Sequence, residues 1–105
     1  MLRIHDVMLD AITTMRPMVR AIERHDRDLA SQLKRAASSV ALNIAEGSGS
    51  SGGVRTARYR TALGSARETI SCLRVAERFG YLDAMPAVLV ADMNRVIGTL
   101  VRVAV

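Results

Sequence analysis

An all-α fold, and within that class an antiparallel up-down-up-down four-helix bundle, is what three features of the sequence predict. Four segments each carry apolar residues at helical spacing, half of all residues are hydrophobic while 3% are aromatic, and polar or Gly- and Pro-bearing breaks separate the segments. A core so poor in aromatics must be built from Leu, Ile, Val, Met and Ala, which suits close helix packing better than a sheet, where aromatic and β-branched residues are enriched. A length of 105 residues supports one modest core, so residues 1–105 are expected to form a single domain.

The first helix is expected at about residues 3–24, where Ile4, Met8, Ala11, Met15, Met18 and Ile22 fall on one stripe. Pro17 lies inside this pattern and removes a backbone hydrogen bond, which predicts a kink or an early end near Arg16. After His25, Asp26 or Asp28 has the chemistry to cap the second helix, expected at 28–46 with Leu29, Leu33, Ala36, Val40 and Asn43 as its seam and Ala37 and Ile44 beside it. That helix ends in NIAEG, where Gly47 is placed to close it in the left-handed conformation, and a Gly/Ser linker is expected at 47–53. The third helix, at 54–79, carries Tyr59, Leu63, Ala66, Ile70 and Leu73 and closes at Gly80. Asp83 then has capping chemistry and Pro86 suits a first turn, giving a fourth helix at 84–104 with Leu89, Met93, Val96, Leu100 and Val103 on its seam. The connections before the second and fourth helices are too short for a crossover, which predicts the up-down order.

A second apolar stripe on the fourth helix, Val90, Ile97 and Val101, exceeds what one core requires, so a second copy of the chain is expected to cover it. Polar residues also break the pattern. Asn43 falls on the seam of the second helix, and Ser65 and Glu68 lie one turn apart on the third in a run of small residues. A structural network joining Asn43 and Glu46 to Ser65 and Glu68 is expected, because buried amides and carboxylates need partners.

Residues Gly47 to Gly52 match G-x-G-x-x-G, the spacing of a dinucleotide-binding turn. That motif requires a strand before it, and here a helix precedes it, so it reads as a linker. Neither His5 nor His25 follows a Glu by three residues, which excludes the helical di-iron pattern; no metal and no cofactor are expected. Cys72 has no second thiol to pair with and reads as a small core residue. No hydroxyl has a histidine at a readable spacing, so no catalytic residues are assigned and the chain is read as a non-enzyme. Charges interrupt MLRIHDVMLD and no apolar run reaches membrane-spanning length, so a soluble, cytoplasmic protein without membrane contact is expected.

A net charge of +5, from 15 Lys and Arg against 10 Asp and Glu, favours an anionic partner. The arginines are ordered. Arg16, Arg20 and Arg24 recur every four residues, while Arg60, Arg67 and Arg74 recur every seven and are extended by Arg78; Arg55 and Arg58 precede them on the third helix. These nine are the residues expected to bind RNA or DNA. The alternative is a solvated face with local pairs such as Arg20 with Glu23 or Arg74 with Glu77.

The runs QLKRAASSVALNIAEGSG and RYRTALGSARETISCLRVAERFGYLD resemble the family of four-helix proteins encoded in intervening sequences of large-subunit ribosomal RNA genes, to which the accessory variability proteins of diversity-generating retroelements look related. The match covers roughly residues 29–83, with RAASSVALNIAEG and ALGSARET its most specific pieces. The resemblance implies a ring-like homopentamer and, for the retroelement relatives, a basic surface that engages nucleic acid and a reverse transcriptase. An arginine usually follows the EGxG piece in that family, and Ser50 stands there in this chain. Two functions follow as expectations: an oligomer that binds nucleic acid through its arginine stripes, or a protein-interaction scaffold that does not.

Overall fold

The computed structural model describes residues 3–105, which form four α-helices with no strand among the described residues: α1 (Ile4–Glu23), α2 (Arg27–Ser48), α3 (Gly52–Arg78) and α4 (Ala87–Val103). Each helix packs against the next in chain order and α4 returns to α1, while no packed interface joins α1 to α3 or α2 to α4. The α2–α3 interface is the most extensive. One cluster fills the centre, with Met8, Met15 and Ile22 from α1, Leu33, Val40 and Ile44 from α2, Leu73 from α3 and Leu89, Met93, Val96 and Leu100 from α4 fully buried or nearly so.

The buried face of α3 includes Tyr59, Ala66 and Leu73 of the expected seam but is wider than that seam. Leu63 and Ile70 are half-buried at its flank, and Ala62, Thr69, Cys72 and Ala76 complete it. Small side chains bring the α3 backbone close to its neighbours, so the larger residues are displaced to the edge of the contact. Thr69 is buried because its hydroxyl donates to the Ser65 carbonyl at 2.8 Å, which satisfies it within the helix.

Three local expectations are corrected. Helix α1 does not end near Arg16 but continues past Pro17 to Glu23; Thr13 and Pro17 are both exposed, so the carbonyl that loses its partner faces the side where water can serve it. The linker is shorter than 47–53, because α2 continues to Ser48 and α3 begins at Gly52. Gly47 is buried within α2, and the left-handed residue is Gly52, with φ of 56°. Only Gly49, Ser50 and Ser51 lie between the helices, and they are tied down. The Ser50 hydroxyl donates to the Glu46 carbonyl at 2.8 Å, and the Arg55 Nε donates to the Gly47 carbonyl at 3.2 Å. Finally, α4 starts at Ala87 and Asp83 caps nothing. Pro86 explains the delay, since a residue before proline is disfavoured in helical geometry and Met85 is that residue; Met85 N donates instead to Glu77 Oε2 at 3.2 Å.

Two helix ends follow the residues that announce them. Asp26 is extended and its carboxylate accepts from Leu29 N at 2.9 Å, capping α2. At the end of α3, Gly80 has φ of 77°, its N–H reaches the Glu77 carbonyl, and Tyr81 N reaches the Ala76 carbonyl at 2.9 Å, the paired bonds of a Schellman closure.

A Cβ on Gly47 would sit 2.5 Å from Tyr59 Cε1 and 2.7 Å from Cδ1, so this glycine is required by the ring packed over it. Gly47→Ala gains helix propensity of about 1 kcal/mol and loses more to overpacking, for which about 1 to 3 kcal/mol is typical. The variant should therefore melt below the parent. In a Tyr59→Ala background the same change should become neutral or stabilising, and a double-mutant cycle by thermal or urea unfolding measures that reversal of sign.

Candidate nucleic-acid interface

The buried face of α3 is made mostly of small residues, and all of the helix's arginines lie off it, exposed to solvent. Arg67, Arg74 and Arg78 are exposed and line one open concavity together with Val75, Glu77 and Phe79. None of them is neutralised: among the described residues the one ion pair joins Arg58 to Glu46 at 3.0 Å, about half-exposed on both sides. The local pairs Arg20–Glu23 and Arg74–Glu77 do not form, and Glu77 is committed to Met85 N. An unpaired row of guanidinium groups is a surface that phosphates can reach without first displacing carboxylates.

The first half of the α3 row has other work. Arg60 Nε donates to the Ala104 carbonyl at 3.1 Å, tying α3 to the end of α4. Arg55 holds the Gly47 carbonyl and Arg58 holds Glu46, so both fasten the α2–α3 connection. Seven-residue spacing groups Arg60 with Arg67 and Arg74, yet only the latter two join Arg78 in the open concavity. The sequence carries no signal for this difference, which depends on where α4 ends.

On α1 and at its C-terminal cap, Arg16, Arg20 and Arg24 are all exposed. Arg16 and Arg20 border a groove between α1 and α2 whose floor is Met15, Leu33 and Ala37 and whose opposite rim is Lys34. Arg20 and Arg24 share a second shallow concavity with Glu23 and Arg27. Lys34 and Arg27, seven residues apart on α2, belong to this basic surface and were legible by that spacing. Since α1 and α3 do not pack on each other, the two rows lie on separate faces.

The polar residues form smaller groups than a single network. Asn43 is half-buried and its amide nitrogen donates to the Ser39 carbonyl at 2.9 Å and Ser39 Oγ at 3.1 Å, while the Ser39 and Ser65 hydroxyls are 2.7 Å apart. Ser39 is the link between Asn43 and Ser65, and its place four residues before Asn43 on the same helical face was the available clue. Glu46 lies outside this group, on Arg58, and Glu68 accepts from exposed Gln32 Nε2 at 3.3 Å. Both acids are exposed, which corrects the expectation that they join Asn43 and Ser65. No buried side-chain nitrogen or oxygen lacks a partner among the described residues. The Cys72 thiol is pushed up by burial and secondarily by the negative charge of Glu68, which keeps it in its protonated, poorly nucleophilic form.

Along α4, Val90 and Val101 are exposed while Ile97 is half-buried against the protein's own core; Val88, 57% exposed, extends the apolar strip toward the start of the helix. Among the described residues no group of three His, Cys, Asp or Glu is placed to hold a metal ion. No helix among them is long and apolar enough to cross a membrane.

Four helices, a small-residue α2–α3 seam and the RAASSVALNIAEG and ALGSARET pieces that build it are thus on one chain, and the family model of the 23S rRNA-intervening sequence protein matches residues 7–101. The chain belongs to this family. No curated protein and no solved structure matches it. The match spans all four helices of this 23S rRNA-intervening sequence protein, well beyond the two central segments that carry the resemblance in the sequence.

Because Ser39 bridges Asn43 and Ser65 across the α2–α3 contact, Ser39→Ala should lower stability by about 1 kcal/mol, leaving two hydrogen-bonding groups short of a partner. Glu68→Ala, at an exposed position, should change it by less than about 0.5 kcal/mol. Chemical denaturation of both variants checks the order.

Proposed function

We propose that this member of the 23S rRNA-intervening sequence protein family is a non-enzymatic helical protein that binds nucleic acid electrostatically, through Arg67, Arg74 and Arg78 on α3 with Arg16, Arg20 and Arg24 on α1 as a second contact face. The observation that carries the reading is the unpaired state of these six arginines on a chain whose only ion pair among the described residues lies elsewhere. A family named for an intervening sequence of 23S rRNA supports an RNA setting. Contacts to phosphate position a protein without reading sequence, so binding is sequence-tolerant.

The helices are taken as antiparallel, in up-down order. Supporting contacts join the start of α3 to the end of α4 through Arg60 and Ala104, and gather Arg3 and Ile4 with Gly98, Thr99 and Arg102 in one concavity. Self-association buries the outer strip of α4, and the family resemblance sets the number of copies at five. A ring multiplies the arginines offered to one strand, which makes a modest contact per chain effective.

Replacing Arg67, Arg74 and Arg78 with Gln should weaken binding to all sequences alike. It should also flatten the slope of log affinity against log salt by about 2 for each protomer engaged on a single strand, at about 0.7 per phosphate contact. Arg60→Gln should leave the slope unchanged and lower stability, because that side chain holds the Ala104 carbonyl. A parent that binds neither RNA nor DNA at low salt sinks the nucleic-acid reading and leaves a protein-interaction scaffold in its place. Self-association is checked separately by light scattering: the parent should exceed the 11.4 kDa of one chain, and Val90→Glu with Val101→Glu should reduce it to that mass.

A further inference from the structure

Three aromatic rings at one end of the protein form an ordered series. His25, in the α1–α2 turn, stacks on Tyr81 with ring centroids 4.9 Å apart and planes 6° from parallel. Phe79, at the end of α3, stacks on the same Tyr81 at 5.4 Å and 15°. These separations and angles are those of offset-stacked rings. Tyr81 is half-buried, whereas His25 and Phe79 are exposed, and Phe79 retains 69% of its surface. A large apolar ring left this open contributes little to the core, and the cluster of packed hydrophobic residues includes Tyr81 but omits Phe79.

The two arginine rows end at this series. On α1, Arg16, Arg20 and Arg24 run toward His25, the residue after Arg24. On α3, Arg67, Arg74 and Arg78 run toward Phe79, the residue after Arg78 and a wall of the same concavity. The rows occupy faces that do not pack on each other, and the rings are what connects them. Of the nearby acids, Glu77 is held by Met85 N and Asp26 by Leu29 N, which leaves Glu23, Asp28 and Asp83 facing solvent.

We propose that His25, Tyr81 and Phe79 form a base-stacking platform for single-stranded nucleic acid, with a nucleobase laid on the exposed Phe79 ring and the adjoining phosphates held by Arg78 and Arg74. The occupant is a single strand because its bases offer free faces, while a duplex keeps its bases stacked on one another except at its ends. Charge selects the same partner, since an apolar peptide would use Phe79 and find no use for the arginines beside it. Tyr81 serves as a support whose stacking on both neighbours holds the platform flat. The proposal rests on the electrostatic reading above and adds to it a preference for unpaired strands.

The chain contains no tryptophan, so Phe79→Trp supplies a unique fluorophore at the platform. Its emission should be quenched by an oligothymidylate and unaffected by an abasic strand of equal length, with affinity for the oligothymidylate kept near that of the parent. Phe79→Ala should bind the oligothymidylate about tenfold more weakly, consistent with the loss of one stacked base. Its salt slope, its helical content and its affinity for duplex DNA and for the abasic strand should match the parent's. The platform is overturned if Phe79→Ala binds the oligothymidylate as the parent does, or if it loses affinity for the abasic strand and the duplex to the same degree. Should that happen while Arg67, Arg74 and Arg78 still set the salt slope, the electrostatic reading stands and the platform alone falls. A parent that binds none of the probes at low salt overturns both.

Discussion

The close approach of α2 and α3 is the constraint on which the rest of the structure depends. It is set where Tyr59 lies over Gly47, at a distance that leaves no room for a Cβ. Above that point the seam continues with Ala62, Ala66 and Thr69, and with the paired hydroxyls of Ser39 and Ser65. Helices held this near each other can be joined by three residues, and Gly49, Ser50 and Ser51 suffice only because Gly52 takes a left-handed turn into α3. The same glycine-rich stretch that imitates a phosphate-binding turn in the sequence is therefore spent on helix packing at its first glycine and on chain reversal at its last.

From this seam the outward surface of α3 follows. A helix whose inner face is mostly alanine, threonine and cysteine, with Tyr59 and Leu73 its only large buried side chains, has little large apolar surface to hide, so its polar residues can occupy a broad arc. Arg55 and Arg58 fall beside the α2–α3 connection and Arg60 beside the end of α4, and they turn back onto carbonyls or a carboxylate. Arg67, Arg74 and Arg78 fall beside the middle and end of α3, where no acceptor is offered, and remain free. Division of one arginine row into tethers and free cations is thus a consequence of where the neighbouring helices stop.

The legibility of the sequence divides along the same line. The seams of α1 and α4 were readable because Met, Leu, Ile and Val mark the buried face directly. The seam of α3 was readable at Tyr59, Ala66 and Leu73 and missed at Ala62 and Thr69, since Leu63 and Ile70 beside them are larger, and size is what periodicity weighs. Gly47 was misread for a related reason: a glycine before a Gly/Ser run signals a helix end, and only the partner ring reveals that it sits mid-interface. Asp83 had the chemistry of a cap and lost to Pro86, whose constraint on Met85 delays the helix. For the interface, the arginines were visible as a pattern, but Arg55 and Arg60 are drawn off it by the carbonyls of Gly47 and Ala104, which no side-chain pattern encodes.

The aromatic series was invisible for a further reason. His25 and Phe79 are separated by about half of the chain, and each alone reads as a turn residue or a helix end. Two geometric facts bring them together: the α1–α2 turn and the α3–α4 connection lie at the same end of the protein, and Gly80 turns the chain so that Tyr81 comes between the two rings. A Schellman closure orders this segment without requiring any of the rings to be buried. The rings are consequently held by local backbone geometry while Phe79 stays open to solvent. Immobilising a side chain before its partner arrives removes part of the entropic cost of binding, which is the physical reason an exposed but stacked ring makes a better contact for a base than an equally exposed ring on a free helix face.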